Sequence, residues 1–163
     1  MEFCNLKGKT ILVTGASSGI GRQSAIKVSQ QGAKLIVTGR DEKRTAETLK
    51  MLTGTNHLSF TADLLTEQEM DSLVAKLPAL DGVVHCAGIV GPTPVKFIRK
   101  ENIEKLLKIN FEVPVLLTSK VLLMKKVADN ASIVFLSTVA TQMPYFGGAL
   151  YNSSKSAIES YSK

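Results

Sequence analysis

Short runs of β-branched and other apolar residues alternate along this chain with longer segments whose apolar residues recur every three to four positions. Thr10–Thr14 predicts a strand, Gly19–Gln31 a helix and Lys34–Thr38 a second strand. Asp41–Leu52 predicts a helix, Leu58–Thr61 a third strand, and Thr66–Leu77 a helix closed by Pro78. Gly82–Cys86 follows as a fourth strand, Lys100–Val127 as a long helix interrupted at Pro114, and Ser132–Leu136 as a fifth strand. A last helix begins at about Leu150. Such alternation implies an α/β fold, a doubly wound parallel sheet covered by helices on both faces. The runs ILVT and IVFL are apolar without alternation, as strands buried on both faces read. Gly91–Pro94 follows the fourth strand and predicts a loop at a carboxyl strand end, where open α/β sheets bind ligands.

The first strand runs straight into Thr14-Gly15-Ala16-Ser17-Ser18-Gly19-Ile20-Gly21, which opens the first helix. Gly15 permits the tight turn out of the strand, Gly19 a close backbone approach to a pyrophosphate, and Gly21 close packing of helix on strand. The helix N-terminus adds unpaired N–H groups and a positive dipole end. This is Rossmann-type phosphate-binding chemistry, with the spacing Gly-x-x-x-Gly-x-Gly.

TGASSGIG resembles the cofactor motif of the short-chain dehydrogenase/reductases. So do Asp63-Leu64, Cys86-Ala87-Gly88, Asn110 in the long helix, and Tyr151-x-x-x-Lys155, all in the family's order and at its usual distances. The resemblance covers essentially the whole chain and is generically closest to 3-oxoacyl-carrier-protein reductases and related carbonyl reductases. It implies hydride transfer between a nicotinamide cofactor and a ketone or secondary alcohol, on a small-molecule or acyl-carrier-linked carbonyl substrate. It also implies a sixth strand, a substrate-covering segment and a seventh strand beyond Lys163. The sequence is therefore read as one NAD(P)-binding domain, residues 1–163, forming the amino-terminal part of such an enzyme.

In NAD-preferring relatives an acid ends the second strand and binds the ribose 2′-hydroxyl. Here Gly39 stands there, followed by Arg40, which leaves room for a phosphate and offers it a planar fork. NADP is the expected cofactor, with NAD possible. Against this, Arg40 also reads as an ordinary exposed residue heading a helix, Asp41 as the cap of that helix, and Ser18 occupies a place where many NADP-users carry a basic residue. Arg22 adds charge near the turn but runs along its helix. Asp63 resembles the aspartate that contacts adenine, and it equally reads as a cap. Cys86 replaces a common asparagine and reads as core, as does His85. Ala87 and Gly88 would admit the cofactor's ribose.

Tyr151 and Lys155 are four apart and share one face of a helix. A free tyrosine titrates near pH ~10, and a neighbouring ammonium and a helix N-terminus both favour its phenolate. By resemblance, Tyr151 protonates the carbonyl oxygen, and Lys155 lowers its pKa and holds the nicotinamide ribose. The family's substrate-orienting hydroxyl, thirteen residues before the tyrosine, falls at Thr138, where serine is usual; Ser137, facing the other side of an extended strand, is the fallback. Asn110 resembles the asparagine that holds a relay water, and it equally reads as a helix-interior Asn bonding back to a carbonyl near Pro114.

Composition narrows the alternatives. With 163 residues, 44% apolar and 21% charged, the chain has ordinary globular usage. Its richest apolar stretch, Val113–Met124, is broken by Thr118, Ser119 and Lys120, so no membrane span is expected. Met1–Cys4 carry no basic segment leading into an apolar run, and two cysteines are too few for a disulfide framework, so the expected location is cytoplasmic. The net charge of +6 reads as a solvated surface or as attraction to anionic ligands. No clustered basic stripe or nucleic-acid motif accompanies it. No second His or Cys gives His85 metal-ligand spacing. Gly8-Lys9-Thr10 lacks the first glycine of a P-loop, and the glycosylation patterns at Asn130 and Asn152 are discarded as chance.

Two other functions remain in view: a nucleotide-binding protein or fragment without turnover, and, more weakly, a basic nucleic-acid-binding domain. By analogy the strands should order 3-2-1-4-5, leaving Ile133-Val134-Phe135-Leu136 as an unguarded edge. A chain ending at Lys163 is then expected to bind cofactor poorly, reduce no carbonyl and self-associate. The complete enzyme is expected to be a homodimer or homotetramer.

Overall fold

A computed structural model describes residues 5–163, so Cys4 and the rest of the extreme N-terminus lie outside the described residues. Strands β1 (Thr10–Thr14), β2 (Lys34–Gly39), β3 (Leu58–Thr61), β4 (Leu80–His85) and β5 (Val127–Phe135) form one sheet in the order β3-β2-β1-β4-β5. Every pairing is parallel, with Leu12 opposite Ile36 and Val83, and Val84 opposite Val134. Helices α1 (Gly19–Gln30), α2 (Glu42–Lys50), α3 (Glu67–Lys76), α4 (Lys100–Leu107), α5 (Val113–Leu123) and α6 (Ala149–Tyr161) fill the crossovers and follow β5. The doubly wound α/β architecture is as the sequence pattern predicts, and the strand order is the one expected by analogy with the family.

The apolar strand runs are explained by two cores, one on each face of the sheet. Leu12, Ile36 and Val83 pack with Leu73, Val74, Leu117 and Val121 of α3 and α5. Their neighbours Ile11, Val13, Leu35 and Val37 point the other way, onto Ala16 and Ala25. Each fully buried Leu or Ile side chain contributes roughly 1.5–3 kcal/mol relative to exposure.

β4 runs over Leu80–His85 rather than Gly82–Cys86, and two further boundaries differ from expectation for identifiable reasons. The segment Lys100–Val127 is not one helix kinked at Pro114. Pro114 sits in the first turn of α5, where its missing N–H costs nothing. The break lies upstream, in a π-helical turn at Lys108–Glu112 that swings Asn110 inward. β5 begins at Val127 rather than Ser132, because Leu80 pairs with Val127 and the register then shifts before Gly82 pairs with Ser132. Lys125, at φ 52°, makes the turn that allows this early start. Short 3₁₀ turns at Val95–Phe97 and Val139–Thr141 carry no hydrophobic period and were not anticipated.

Candidate functional site

A cleft of about 500 Å³ opens at the carboxyl ends of β1 to β4, lined by the glycine-rich turn, the β2–α2 and β3–α3 junctions, and the segment after β4. Gly15 has φ +63°, and a Cβ there would come within 2.7 Å of the Ala87 backbone. A Cβ on Gly21 would lie 2.3 Å from the Gly15 carbonyl oxygen. These two glycines lock turn, helix and β4 together at backbone distance. Gly19, also at positive φ (+54°), meets nothing within 4 Å and leaves space open beside the first turn of α1. Ser17, Ser18 and Ile20 line the same wall. The Ser18 side chain makes no capping bond, so the helix end is not closed by its own cap.

At the β2 end the cleft is lined by Gly39, Arg40 and Asp41. Asp41 caps α2, its Oδ1 accepting the Arg44 N–H at 3.0 Å, as the sequence suggests. That cap brings Arg44 to the cleft wall beside Arg40. Sequence reasoning missed Arg44; the available signal was a cation three residues past a clear N-cap. Arg22 does not line the cleft, and its guanidinium turns to the rear of the turn. Asp63 and Leu64 line the opposite side. Asp63 Oδ1 also accepts the Leu65 N–H at 3.1 Å in a local turn, but it does not cap the next helix, whose N-cap is Thr66.

Asn110 joins the cleft to α6. Its Oδ1 accepts the Ile89 N–H at 2.8 Å, and its Nδ2 donates to the Ile89 carbonyl at 2.9 Å and to Ser154 Oγ at 3.1 Å. Asn110 is buried, and these bonds replace the back-bonding to its own helix that was one expectation. A Cβ on Gly88 would meet Asn110 Oδ1 at 3.1 Å and Lys155 Nζ at 3.7 Å, so both side chains stand next to the cleft at Gly88, while Asn110, Lys155, Tyr151, Thr138 and Ser137 are not themselves part of its lining. Lys155 is buried; Nζ donates to the Leu136 carbonyl at 2.8 Å and lies 6.0 Å from the Tyr151 ring centroid. Burial pulls the Lys155 ammonium below its ordinary pKa, and Cys86 opposes this weakly. Tyr151 itself is half-buried.

Thr138 and Ser137 part company here. Ser137 Oγ donates to the Glu159 carboxylate, which also accepts from Thr141 Oγ1 at 3.0 Å. Those two hydroxyls hold the Glu159 carboxyl below the usual carboxylate range. Thr138 instead starts the 3₁₀ turn, its Oγ1 accepting the Ala140 N–H at 3.2 Å. Glu159, not anticipated from sequence, lies eight residues past Tyr151 and thus on the same helix face.

His85 and Cys86 read as packed residues. His85 stacks on Phe135 at 4.9 Å, its Nε2 lies 3.0 Å from Thr118 Oγ1, and burial lowers its pKa to about 4. Cys86 packs against the core and lines the cleft, and burial raises its thiol pKa. Among the described residues no group of His, Cys, Asp and Glu could hold a metal ion, and no helix is long and apolar enough to cross a membrane.

A turn of this build, at this strand junction, with a Tyr-x-x-x-Lys helix beyond it, defines a dinucleotide-type α/β domain. The chain belongs to the short chain dehydrogenase family, whose model matches residues 9–163. It is 31% identical to the uncharacterized oxidoreductase YciK of Escherichia coli, over 94% of this chain and 65% of that protein. It is 30% identical to the 3-oxoacyl-[acyl-carrier-protein] reductase FabG of Rickettsia typhi, over 93% of this chain and 62% of that protein. The chain thus spans somewhat less than two thirds of the length of these relatives. Among solved structures, a short chain dehydrogenase from Escherichia coli CFT073 complexed with NADPH superimposes with a TM-score of 0.82 at 31% identity, covering 95% of this chain and 69% of that one.

Proposed function

We propose that this chain is the nucleotide-binding and catalytic portion of an NADP(H)-dependent oxidoreductase that interconverts a ketone, such as a 3-oxo group, and a secondary alcohol. The observation that carries the reading is the approach of Lys155 and Asn110 to Gly88, which lines the same cleft as the glycine-rich turn. The open space at Gly19 and the uncapped α1 N-terminus fit a pyrophosphate. Arg40 and Arg44 fit a 2′-phosphate, and the relative crystallised with NADPH supports that choice. NAD remains the second cofactor in this reading. Asp63 and Leu64 would flank the adenine, and Ala87 and Gly88 the nicotinamide ribose. When bound, the cofactor supplies or accepts the hydride.

The remaining chemistry belongs to side chains. Tyr151 hands its phenolic proton to the carbonyl oxygen, and the Lys155 ammonium stabilises the phenolate left behind. Lys155 is already partly desolvated, so its charge acts through a low local dielectric. Thr138 orients the substrate oxygen, with the methyl of threonine narrowing the pocket relative to serine. Ser137 is tied to Glu159 and is the weaker candidate. Asn110 holds the Ile89 peptide and keeps the wall beside Lys155 in register.

The substrate is a small-molecule or acyl-carrier-linked carbonyl compound, and we place the reaction in the reducing cytoplasm. Helices α4 and α5 expose Ile103, Leu107, Leu116 and Leu123, which fits a homodimer or homotetramer. The test is consumption of NADPH absorbance with ethyl acetoacetate as probe, with product alcohol quantified. One alcohol formed per NADPH consumed supports the reading. Tight NADPH binding without consumption on any of a panel of ketones and 3-oxo esters would leave a nucleotide-binding protein without turnover.

A further inference from the structure

Behind the glycine-rich turn, on the side away from the cleft, two residues that no part of the chemistry above uses form a bonded network. Arg22 of α1 is only 21% exposed in its side chain. Its Nε donates to Thr48 Oγ1 at 2.9 Å, and its Nη2 donates to the Ser17 carbonyl at 2.6 Å and, more weakly, to the Arg44 carbonyl at 3.3 Å. Glu47 Oε2 lies 3.7 Å from the same nitrogen. Thr48 of α2 is fully buried, and its hydroxyl has carbonyl acceptors at Ala16 (2.9 Å) and Arg44 (3.1 Å). The carbonyls of Ala16 and Ser17 are therefore both engaged from the rear, by groups anchored on two different helices.

This arrangement has an electrostatic meaning. An anion beside a turn is attracted by N–H groups and repelled by carbonyl oxygens. Holding two successive carbonyl oxygens on a guanidinium and a buried hydroxyl fixes the peptide planes so that the turn offers its N–H groups to the cleft. Arg22 itself does not line the cleft, and its fork is occupied by protein acceptors. Its cation is also partly neutralised by Glu47.

We propose that Arg22 and Thr48 are positioning residues for the phosphate-binding turn: a clamp that acts on dinucleotide binding through the Ala16 and Ser17 carbonyls, not a charge that contacts the cofactor's 2′-phosphate. The proposal rests on the reading of the cleft as a dinucleotide site. It separates Arg22 from Arg40 and Arg44, which line the cleft and are free to meet a phosphate.

Fluorescence titration of the full chain with NADPH and, separately, with NADH tests it, with thermal melting of each variant run alongside. Arg22→Ala should weaken both dinucleotides about tenfold, the scale of one lost charge-assisted hydrogen bond, and by factors within about twofold of each other. Arg22→Lys keeps the charge but not the fork, so it should lose as much as Arg22→Ala. Thr48→Val keeps the shape and removes the hydroxyl, so it should weaken both cofactors about fivefold. The double variant should be no worse than about the poorer single one, since both act through the same two carbonyls. Should Arg22→Ala fail to fold, the Thr48→Val titration decides. Loss of NADPH affinity alone, restored by Arg22→Lys, would overturn the clamp and make Arg22 a phosphate ligand. Unchanged affinities in folded variants would overturn it as well. A wild-type chain that binds neither dinucleotide removes the cleft reading itself and the clamp with it, a result distinct from a clamp that fails while wild-type binding stands.

Discussion

At the β1–α1 end the cleft wall is mostly backbone. Gly15 and Gly21 sit at distances that exclude any side chain, the Ala16 N–H is bonded to the Thr38 carbonyl, and the turn's carbonyls are tied down behind. Beyond Gly88, outside the cleft lining, the β5–α6 side is built of side chains on short turns. Lys155 reaches the Leu136 carbonyl, Glu159 gathers Ser137 and Thr141, and between them run exposed apolar residues such as Val139 and Phe146, the latter 87% exposed. The first end suits a ligand of fixed shape and charge, recognised by peptide groups. On the proposed reading, the second end meets the substrate with a few fixed side chains and an exposed apolar rim.

The largest effect belongs to the second end. In the complete enzyme, Tyr151→Phe should lower kcat by about 10³-fold, within the range of a lost general acid, while the NADPH dissociation constant stays within about twofold. Steady-state rates paired with a cofactor titration check both halves. Retention of a large share of the rate would show that another acid serves.

The next effect lies where the two ends meet, at the close of β4. Burial lowers the His85 pKa from 6.5 to about 4, so the fold favours the neutral ring. The unfolded chain takes up a proton below pH 6.5 while the folded chain does so only near 4. This contribution to stability is therefore whole above pH 6.5 and is lost as pH falls towards 4, by about 3 kcal/mol. Urea unfolding at several pH values should show that slope, and His85→Leu should flatten it.

Asn110→Ala is smaller and touches both ends. It strands the Ile89 N–H and carbonyl in a half-buried wall, which should cost about 2 kcal/mol in stability. Turnover and cofactor affinity should fall together, unlike in Tyr151→Phe. Denaturant midpoints together with NADPH titration separate the two patterns.

The same division governs what could be read from the sequence. The strands, the two-sided core and the glycine turn were legible because they are written in local periods and in glycines with backbone reasons, whereas the strand order came only from the resemblance to the family. The π turn was not: Lys108–Glu112 keeps a helical pattern, and only the tertiary bonds from Asn110 to Ile89 and Ser154 give the widened turn a purpose. Pro114 drew attention to the wrong place, since a proline at a helix start looks the same in sequence as one that kinks a helix. The early start of β5 was hidden because Ala128-Asp129-Asn130 has no strand signal of its own and is paired through a register shift. Arg44 and Glu159 were missed because each reads as a solvated charge until the cap at Asp41 and the hydroxyls of Ser137 and Thr141 place it.

The central claim is that the backbone-built end holds a dinucleotide and that Arg40 selects the phosphorylated one. Its most direct test is a paired titration of the wild-type chain and Arg40→Ala with NADPH and NADH. The account predicts tighter binding of NADPH by the wild type, lost about tenfold in Arg40→Ala, while NADH changes by less than about twofold. Tighter binding of NADH, or equal losses of both cofactors on removing Arg40, would contradict it.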